Sequence, residues 1–158
     1  MIHIKPFTKE YFSQVVTLSH KIFNLYERFE TVENVKLYEE SGFVALNKNK
    51  DVIGYSMFGI IHYKNHDEFT ILSLGVDEEY RKIGVAKKLI SEIRNYFRKC
   101  YDVIKENFKI KREIHLQVRR NNFPARKLYH KQDFQESELI ENYYREPVED
   151  AIHMVYKF

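Results

Sequence analysis

A basic, glycine-bearing corner at residues 81–86, Arg-Lys-Ile-Gly-Val-Ala, is the feature of the sequence with the clearest chemistry. An apolar, strand-like run at 69–76 and an acidic turn precede it, and apolar residues recur at helical spacing after it. The first backbone N–H groups of a helix have no partners within the helix, and the helix dipole adds positive potential there. Gly84 lets the backbone approach a bulky anion, while Arg81 and Lys82 add charge. The corner is therefore predicted to bind a pyrophosphate.

The corner alone does not identify a ligand, because strand–turn–helix corners with one glycine also occur as ordinary turns that bind nothing. The sequence contains neither the G-x-G-x-x-G dinucleotide fingerprint nor the G-x-x-x-x-G-K-[ST] phosphate loop. Nucleotide binding of those two kinds is therefore not supported.

Three further segments make the pattern specific. R-x-x-G-x-A after a strand ending in Val-Asp resembles the acetyl-CoA motif of the GCN5-related N-acetyltransferase (GNAT) superfamily, and 116–129 (LQVRRNNFPARKLY) resembles its next strand and short helix. Residues 142–144 (NYY), followed by 149–151 (EDA) and a final strand, are similar to the protein N-terminal acetyltransferase branch, as is 22–26 (IFNLY). The resemblance implies one α/β domain over 1–158, with a mixed sheet of six to seven strands and about four flanking helices.

The resemblance implies acetyl-CoA as the cofactor. The backbone of 74–76 would pair like a strand with the pantetheine arm, the amides of 81–86 would take the pyrophosphate, and Asn122 would hold the arm. The cofactor-binding residues so implied are Leu74, Gly75, Val76, Arg81, Lys82, Ile83, Gly84, Val85, Ala86, Asn122 and Ala125.

Acyl transfer to an amine also needs a proton for the leaving thiolate and an unprotonated amine. Tyr129 stands where the superfamily places the phenol that protonates the CoA thiolate, although a packing tyrosine is the alternative. Thr70 and Gln117 occupy strand positions at which relatives often carry a catalytic Glu. His115 shares a strand face with Gln117 by the two-residue period, so it is the candidate base, with a structural histidine as the alternative.

The resemblance places the substrate loops at residues of mostly aromatic type, whose rings suit an apolar first side chain of a peptide. These substrate-binding candidates are Phe23, Tyr26, Gln117, Tyr143 and Tyr144. The missing strand carboxylate favours an α-amine: at pH 7 roughly a tenth of α-amines, but only about 0.04% of lysine amines, are neutral. We therefore expect direct acetyl transfer, in a ternary complex, to the N-terminal amine of a protein or peptide.

Two other readings stay open: a sister enzyme that acetylates a polyamine, an antibiotic or a lysine, and a non-catalytic interaction subunit that keeps the fold. The expected partners are acetyl-CoA and a peptide or protein N-terminus, and the resemblance leaves room for an auxiliary or ribosome-associated subunit. Retention of the corner, Asn122 and Tyr129 argues against the non-catalytic subunit.

Composition agrees with a cytoplasmic or nuclear enzyme. The 158 residues are 44% hydrophobic, enough for a core, and the net charge of +3 is mild for a nucleic-acid binder. The sequence has no run of roughly 20 apolar residues and no signal-peptide pattern, so no membrane role is expected. Cys100 is the only cysteine, which excludes an intramolecular disulfide and a cysteine zinc cluster.

The elements that must position these residues follow from hydrophobic periodicity and turn residues. The pattern predicts helices from Thr8, at 31–40, from Val85 to about Glu106 and at 124–131. It predicts strands at 3–6, 42–46, 52–63, 69–76, 113–118, 134–140 and 151–158.

Overall fold

The computed structural model describes residues 1–23 and 41–158 of the chain. Its strands are β1 (His3–Pro6), β2 (Gly42–Leu46), β3 (Val52–His62), β4 (Asp67–Val76), β5 (Glu113–Arg119), β6 (Gln135–Arg145) and β7 (Val148–Lys157). Its helices are α1 (Phe12–Ile22), α2 (Val85–Asn107) and α3 (Phe123–Lys131), with 3-10 turns at Lys9–Tyr11 and Glu78–Tyr80. The strands form one mixed sheet in the order β1-β2-β3-β4-β5-β7-β6, which confirms the predicted fold class. The helix predicted at 31–40 lies outside the described residues.

The contacts of the chain divide it into two compact units, residues 1–59 with 73–98, and residues 60–72 with 99–158. In the first unit, β2 presents alternate side chains to two apolar clusters, as the two-residue period of a strand requires. Val44 packs with the α1 residues Val15 and Leu18, and Ala45 packs with the α2 residues Val85 and Leu89. Both faces of β2 are therefore covered.

The second unit is organised around β5. This strand runs parallel to β4, with Thr70 opposite His115 and Ile71 opposite Leu116, and antiparallel to β7 along its whole length. β6 pairs with the far side of β7 and forms the edge of the sheet. None of the helices within the described ranges is long and apolar enough to cross a bilayer.

The last hairpin differs from the sequence prediction. β6 continues to Arg145, five residues past the predicted end at Ile140, and β7 begins at Val148 rather than Ala151. β6 is an exposed edge strand with little apolar alternation, so hydrophobic periodicity could not define its end. As a result the Asn-Tyr-Tyr segment lies in a strand, within the register irregularity between Ile140 and Tyr144.

The start of the first helix also differs. Thr8 was expected to cap it, but the Thr8 hydroxyl donates to Oε1 of Glu10 at 3.1 Å and no backbone N–H is capped by this side chain. A 3-10 turn follows, and α1 begins only at Phe12.

Candidate active site

The predicted pyrophosphate corner is a sharp turn that leads into α2. Lys82 and Gly84 both have positive φ, 65° and 92°, a region that glycine adopts freely and that costs a non-glycine residue roughly 1–2 kcal/mol. A Cβ at Gly84 would meet no heavy atom of the described residues within 4 Å, chain neighbours aside, so the space over this backbone is open. The N–H of Lys88 donates to the C=O of Gly84 at 3.0 Å. The N–H groups of 85–87 therefore precede the first hydrogen bond within the helix.

The acidic turn before the corner is fixed by side-chain contacts. Lys21 of α1 donates to both carboxylate oxygens of Asp77, at 2.9 and 2.8 Å, and Asp77 also accepts the N–H of Glu79. The hydrogen bond from Lys21 holds the pKa of Asp77 below its usual range. The guanidinium Nε of Arg81 donates to the C=O of Val76 at 3.1 Å. Arg81 therefore ties the corner to the end of β4 as well as adding charge.

The strand that leads to the corner is crowded on one side. A Cβ at Gly75 would lie 2.3 Å from Cδ1 of Ile22 and 3.1 Å from both Cε2 of Phe23 and Cε1 of Tyr55. The structure thus places Phe23, a predicted substrate residue, directly against Gly75, a predicted cofactor residue. Tyr26, the other early substrate candidate, lies outside the described residues.

The pairing of β4 with β5 is short. Both strands are fully described, and their parallel register consists of Thr70 with His115 and Ile71 with Leu116. The pantetheine-binding role of Leu74, Gly75 and Val76 stays a prediction from the resemblance.

The loop between β5 and α3 contains Asn122, which is the N-cap of α3. Its Oδ1 accepts the N–H of Ala125 at 3.2 Å, so this exposed side chain has a structural role in addition to the predicted cofactor role. Pro124 occupies the first turn of the helix, as predicted. The N-cap fixes the direction of α3 and with it the position of Tyr129.

Tyr129 is 8% exposed and lies on the core side of α3. Its ring makes an edge contact with Phe134, with the ring centroids 5.8 Å apart. Burial raises the pKa of Tyr129 to about 12, so the phenol keeps its proton at any physiological pH. This is the protonation state that a general acid needs.

The predicted substrate residues Tyr143 and Tyr144 lie together near the tip of the β6–β7 hairpin, in edge contact with centroids 5.0 Å apart. Tyr143 is 47% exposed, whereas the ring of Tyr144 rests 4.1 Å from the guanidinium of Arg119. The same guanidinium donates to the C=O groups of Glu146 and Pro147, each at 3.1 Å. Arg119 therefore holds the hairpin tip and leaves one aromatic face to solvent.

The acidic residues after the hairpin tip explain the Glu-Asp-Ala block of the sequence. Glu149 accepts the N–H of Asn121 at 2.8 Å, and Asp150 accepts the N–H of Asn142 at 2.9 Å. Asn142 has a φ of 50°, so the bond to Asp150 stabilises an unusual backbone conformation beside the tyrosines. The block thus joins the hairpin to the loop that precedes α3.

The arginines between β5 and α3 carry partners. Besides Arg119, Arg120 lies 3.2 Å from Asp150 and Arg126 lies 2.7 Å from Glu136. The basic run at 119–127 is therefore largely neutralised within the fold. Its positive charge does not make a separate case for an anionic ligand.

The candidate base His115 lies in a buried cluster. Its Nδ1 is 3.1 Å from Nε2 of His153 and 3.8 Å from Oε2 of Glu68, and its Nε2 is 3.5 Å from Oε2 of Glu113. Burial lowers the pKa of the His115 imidazole, which the Glu68 carboxylate opposes and His153 reinforces. Gln117, on the same strand face, is opposite His153 in the β5–β7 register.

The sequence did not indicate Glu68, His153, Lys21 or Arg119 as individual functional residues. Glu68 is two residues before Thr70 on β4, so the strand period could have placed it on the face of Thr70. Nothing local connects residues 68, 115 and 153, because only the sheet order brings β4, β5 and β7 together. The arginine run was visible, but its partners were not.

Comparison with known proteins agrees with this geometry. Residues 7–134 match the model of the Acetyltransferase (GNAT) family. An N-alpha-acetyltransferase of Sulfolobus acidocaldarius is 31% identical over 137 residues, covering 82% of this chain and 76% of that protein. Arabidopsis thaliana NAA60, solved with acetyl-CoA, superposes with a TM-score of 0.80 at 22% identity over all of both chains. Arabidopsis thaliana Naa50, solved with the bisubstrate analogue CoA-Ac-MVNAL, gives 0.77 at 22% identity over 99% of both. The chain belongs to the GNAT acetyltransferase family and is an acetyl-CoA-dependent N-acetyltransferase.

Proposed function

We propose that this enzyme acetylates the N-terminal α-amine of a protein or peptide. The observation that carries the proposal is the anchored pair Tyr143–Tyr144, because a fixed aromatic hairpin beside an acetyltransferase motif suits a peptide end. Within the first unit, Phe23 is a further aromatic candidate, next to Gly75. The N-alpha-acetyltransferase relative and the peptide-containing analogue bound to Naa50 support the same substrate class.

The proposed reaction is a direct transfer. The neutral amine attacks the thioester carbonyl carbon, so that the C–N bond forms while the C=O electron pair moves onto oxygen. As the C=O bond forms again, the C–S bond breaks with its electron pair on sulfur. The nitrogen loses one N–H proton, which replaces the proton that the sulfur takes up, and the products are the amide and the CoA thiol. We assign the phenol of Tyr129 as the hydrogen-bond and proton donor to that sulfur. The amide groups of 81–86 would hold the pyrophosphate, with Gly84 leaving the approach open.

The amine loses its proton before or during attack. An α-amine needs little help, since roughly a tenth of it is neutral at pH 7. His115 is the candidate acceptor of the N–H proton that leaves the nitrogen, but its neighbours Glu68 and His153 also suit it to a different role.

The test uses two synthetic peptides of one sequence with a single internal lysine, one with a free N-terminus and one with a blocked N-terminus. Purified full chain and acetyl-CoA should label only the free peptide, and fragmentation mass spectrometry should place the acetyl group on the α-nitrogen. The rate should rise through pH 7–8 as the α-amine deprotonates. Labelling of the internal lysine in the blocked peptide would replace the proposal with the lysine-directed alternative. If the enzyme acetylates a polyamine and neither of the two peptides, the small-molecule alternative would replace the proposal.

The hairpin assignment has its own test. Tyr143→Ala should raise KM for the peptide by about tenfold, the effect of losing one buried aromatic contact, without changing KM for acetyl-CoA. Leu139→Ala is the matched control, because Leu139 is a similarly exposed apolar residue (44%) on the same strand. Equal effects of the two changes would remove Tyr143 from the peptide site.

A further inference from the structure

Three side chains of metal-ligand type converge in the second unit, from three different strands. Glu68 comes from β4, His115 from β5 and His153 from β7. Nε2 of His153 is 3.1 Å from Nδ1 of His115 and 3.9 Å from Oε2 of Glu68, and the Glu68 oxygen is 3.8 Å from Nδ1 of His115. The side chains are only 10–12% exposed. One ring nitrogen from each histidine and one carboxylate oxygen therefore face a common point.

The carboxylate of Glu68 is incompletely satisfied. Its Oε1 lies 3.1 Å from Nε2 of His66, but its Oε2 is buried and has no hydrogen-bond partner among the described residues. Burying a carboxylate oxygen without a partner is unfavourable, so such an atom in a folded protein calls for an explanation. The unpaired oxygen is the one directed at the two imidazoles.

We propose that Glu68, His115 and His153 bind one divalent transition-metal ion, of which Zn²⁺ is the best match. Zn²⁺ binds histidine nitrogen and carboxylate oxygen at about 2.0–2.2 Å, which places ligand atoms roughly 3.1–3.7 Å apart around a near-tetrahedral ion. The observed separations of 3.1, 3.8 and 3.9 Å reach this geometry with a movement of a few tenths of an ångström by Glu68. Two imidazoles with one carboxylate favour Zn²⁺ over Mg²⁺ or Ca²⁺, which prefer all-oxygen ligands.

Neighbouring side chains contact the proposed ligands on the atoms that would not bind the metal, as the second layer of residues around a metal site usually does. Glu113 Oε2 lies 3.5 Å from Nε2 of His115, the nitrogen that would not face the ion, and so favours a proton there. That tautomer leaves the lone pair on Nδ1, which faces the ion position. His66 contacts the carboxylate oxygen of Glu68 that would not bind. Two of the three ligands, His115 and Glu68, therefore have partners that orient them.

The ion would connect β4, β5 and β7 through their side chains and stabilise the second unit. It would also engage the Nδ1 lone pair of His115, so metal binding and a direct general-base role through that nitrogen exclude each other. The proposal does not depend on which amine the enzyme acetylates. Its experiment can therefore succeed or fail separately from that of the proposed function.

The experiment uses the purified full chain, stripped with EDTA and titrated with ZnCl₂ alone. Elemental analysis after buffer exchange should give one Zn²⁺ per chain, and Tm should rise with Zn²⁺ concentration but not with Mg²⁺. Co²⁺ should give the intense visible absorption of a four-coordinate ion. Glu68→Gln and His153→Gln should each weaken Zn²⁺ binding by at least about tenfold.

The matched control is His62→Ala. His62 also contacts a carboxylate, with Nδ1 2.7 Å from Oδ1 of Asp67, but its side chain is 66% exposed and it lies outside the cluster. Its loss should leave Zn²⁺ stoichiometry and affinity unchanged. Circular dichroism checks the fold of each variant. If both cluster variants unfold, the metal stoichiometry and the Co²⁺ spectrum of the wild type still show whether the chain binds one metal ion.

Three results would overturn the proposal: less than stoichiometric metal in the wild type, binding that Glu68→Gln leaves intact, or binding that His62→Ala removes. If the wild type binds no metal while His115→Gln loses acetyl transfer and remains folded, the cluster supplies the base instead.

Discussion

Replacing Tyr129 with phenylalanine removes one oxygen from a tyrosine whose other contacts do not need it. The ring packs edge-on against Phe134, and the backbone C=O accepts the N–H groups of Phe134 and Gln132, each at 3.0 Å. Among the described residues none is hydrogen-bonded to the hydroxyl. The variant should therefore fold normally, with its free energy of unfolding within about 0.5 kcal/mol of wild type.

The size of the catalytic effect follows from the pKa of about 12. A thiol has a pKa near 8.5, so complete proton transfer from this phenol to a free thiolate would be uphill by roughly 5 kcal/mol. The phenol should therefore act mainly as a hydrogen-bond donor while charge develops on sulfur. A hydrogen bond to a charged group contributes about 1.5–3 kcal/mol, which corresponds to a loss in kcat of roughly 10- to 160-fold. A loss of 10³ or more would instead indicate full general-acid transfer, with the pKa lowered by bound cofactor.

The assay is release of free CoA thiol at saturating acetyl-CoA and peptide, with CoA affinity measured separately by calorimetry. Affinity should hardly change in the variant. Tyr156→Phe is the matched control, because its ring also packs on Phe134, with centroids 5.6 Å apart, and it lies outside the family motif. Wild-type kcat should show no decline from phenol ionisation below about pH 10, since Tyr129 stays protonated there. A Tyr129→Phe enzyme within twofold of wild type would refute the acid assignment.

Three further predictions concern the first unit. Gly84→Leu should fold, because its Cβ enters open space, but calorimetry should detect no CoA binding. The control Gly84→Ala has the same backbone strain at a φ of 92° but a smaller side chain, so it should bind CoA more tightly than Gly84→Leu. Lys82→Gly and Lys82→Ala should weaken CoA binding equally, and the loss of affinity should be smaller in high salt. The Lys82→Gly variant should have a higher Tm than the Lys82→Ala variant, because φ is 65° at that position. Lys21→Met should lower stability at pH 7 and lower it less at pH 3. The pKa of folded Asp77 is depressed, so the contribution of the pair is present above about pH 4 and is lost as pH falls further. Equal destabilisation at both pH values in thermal melts would contradict that account.

Local features of the fold could be predicted from the sequence because local physics decides them. Helix α2 was predicted to run from Val85 to about Glu106 and ends at Asn107, since its apolar residues keep helical spacing over six turns. The β2–β3 hairpin followed from two apolar runs around the polar turn at 47–51. The glycine-bearing corner before α2 was predicted in place. The positive φ of Gly84 was not predicted, and the left-handed conformation of Lys82 carries no sequence signal.

The parts that could not be predicted depend on pairing between distant strands. The Asn-Tyr-Tyr segment was assigned to the right region, but its position within β6 depends on contacts such as that of Arg119 with Tyr144. The cluster of Glu68, His115 and His153 depends on the β4-β5-β7 order, which no periodicity contains. The roles of these residues are therefore predicted from the geometry of the structure, whereas the roles of the motif residues are predicted from the sequence pattern.

The choice of amine depends on which groups near the reacting amine could act as a base. Thr70 and Gln117 supply no carboxylate, and the imidazoles opposite them in register, His115 and His153, are the nitrogens assigned to the metal. With both imidazoles bound to a metal, the enzyme would have no strong base and would depend on amine that is already neutral. At pH 7 the neutral fraction of an α-amine exceeds that of a lysine by roughly 200- to 400-fold, before any difference in binding. A lysine substrate would require the site to make up this factor, whereas an N-terminus needs only to be held in place.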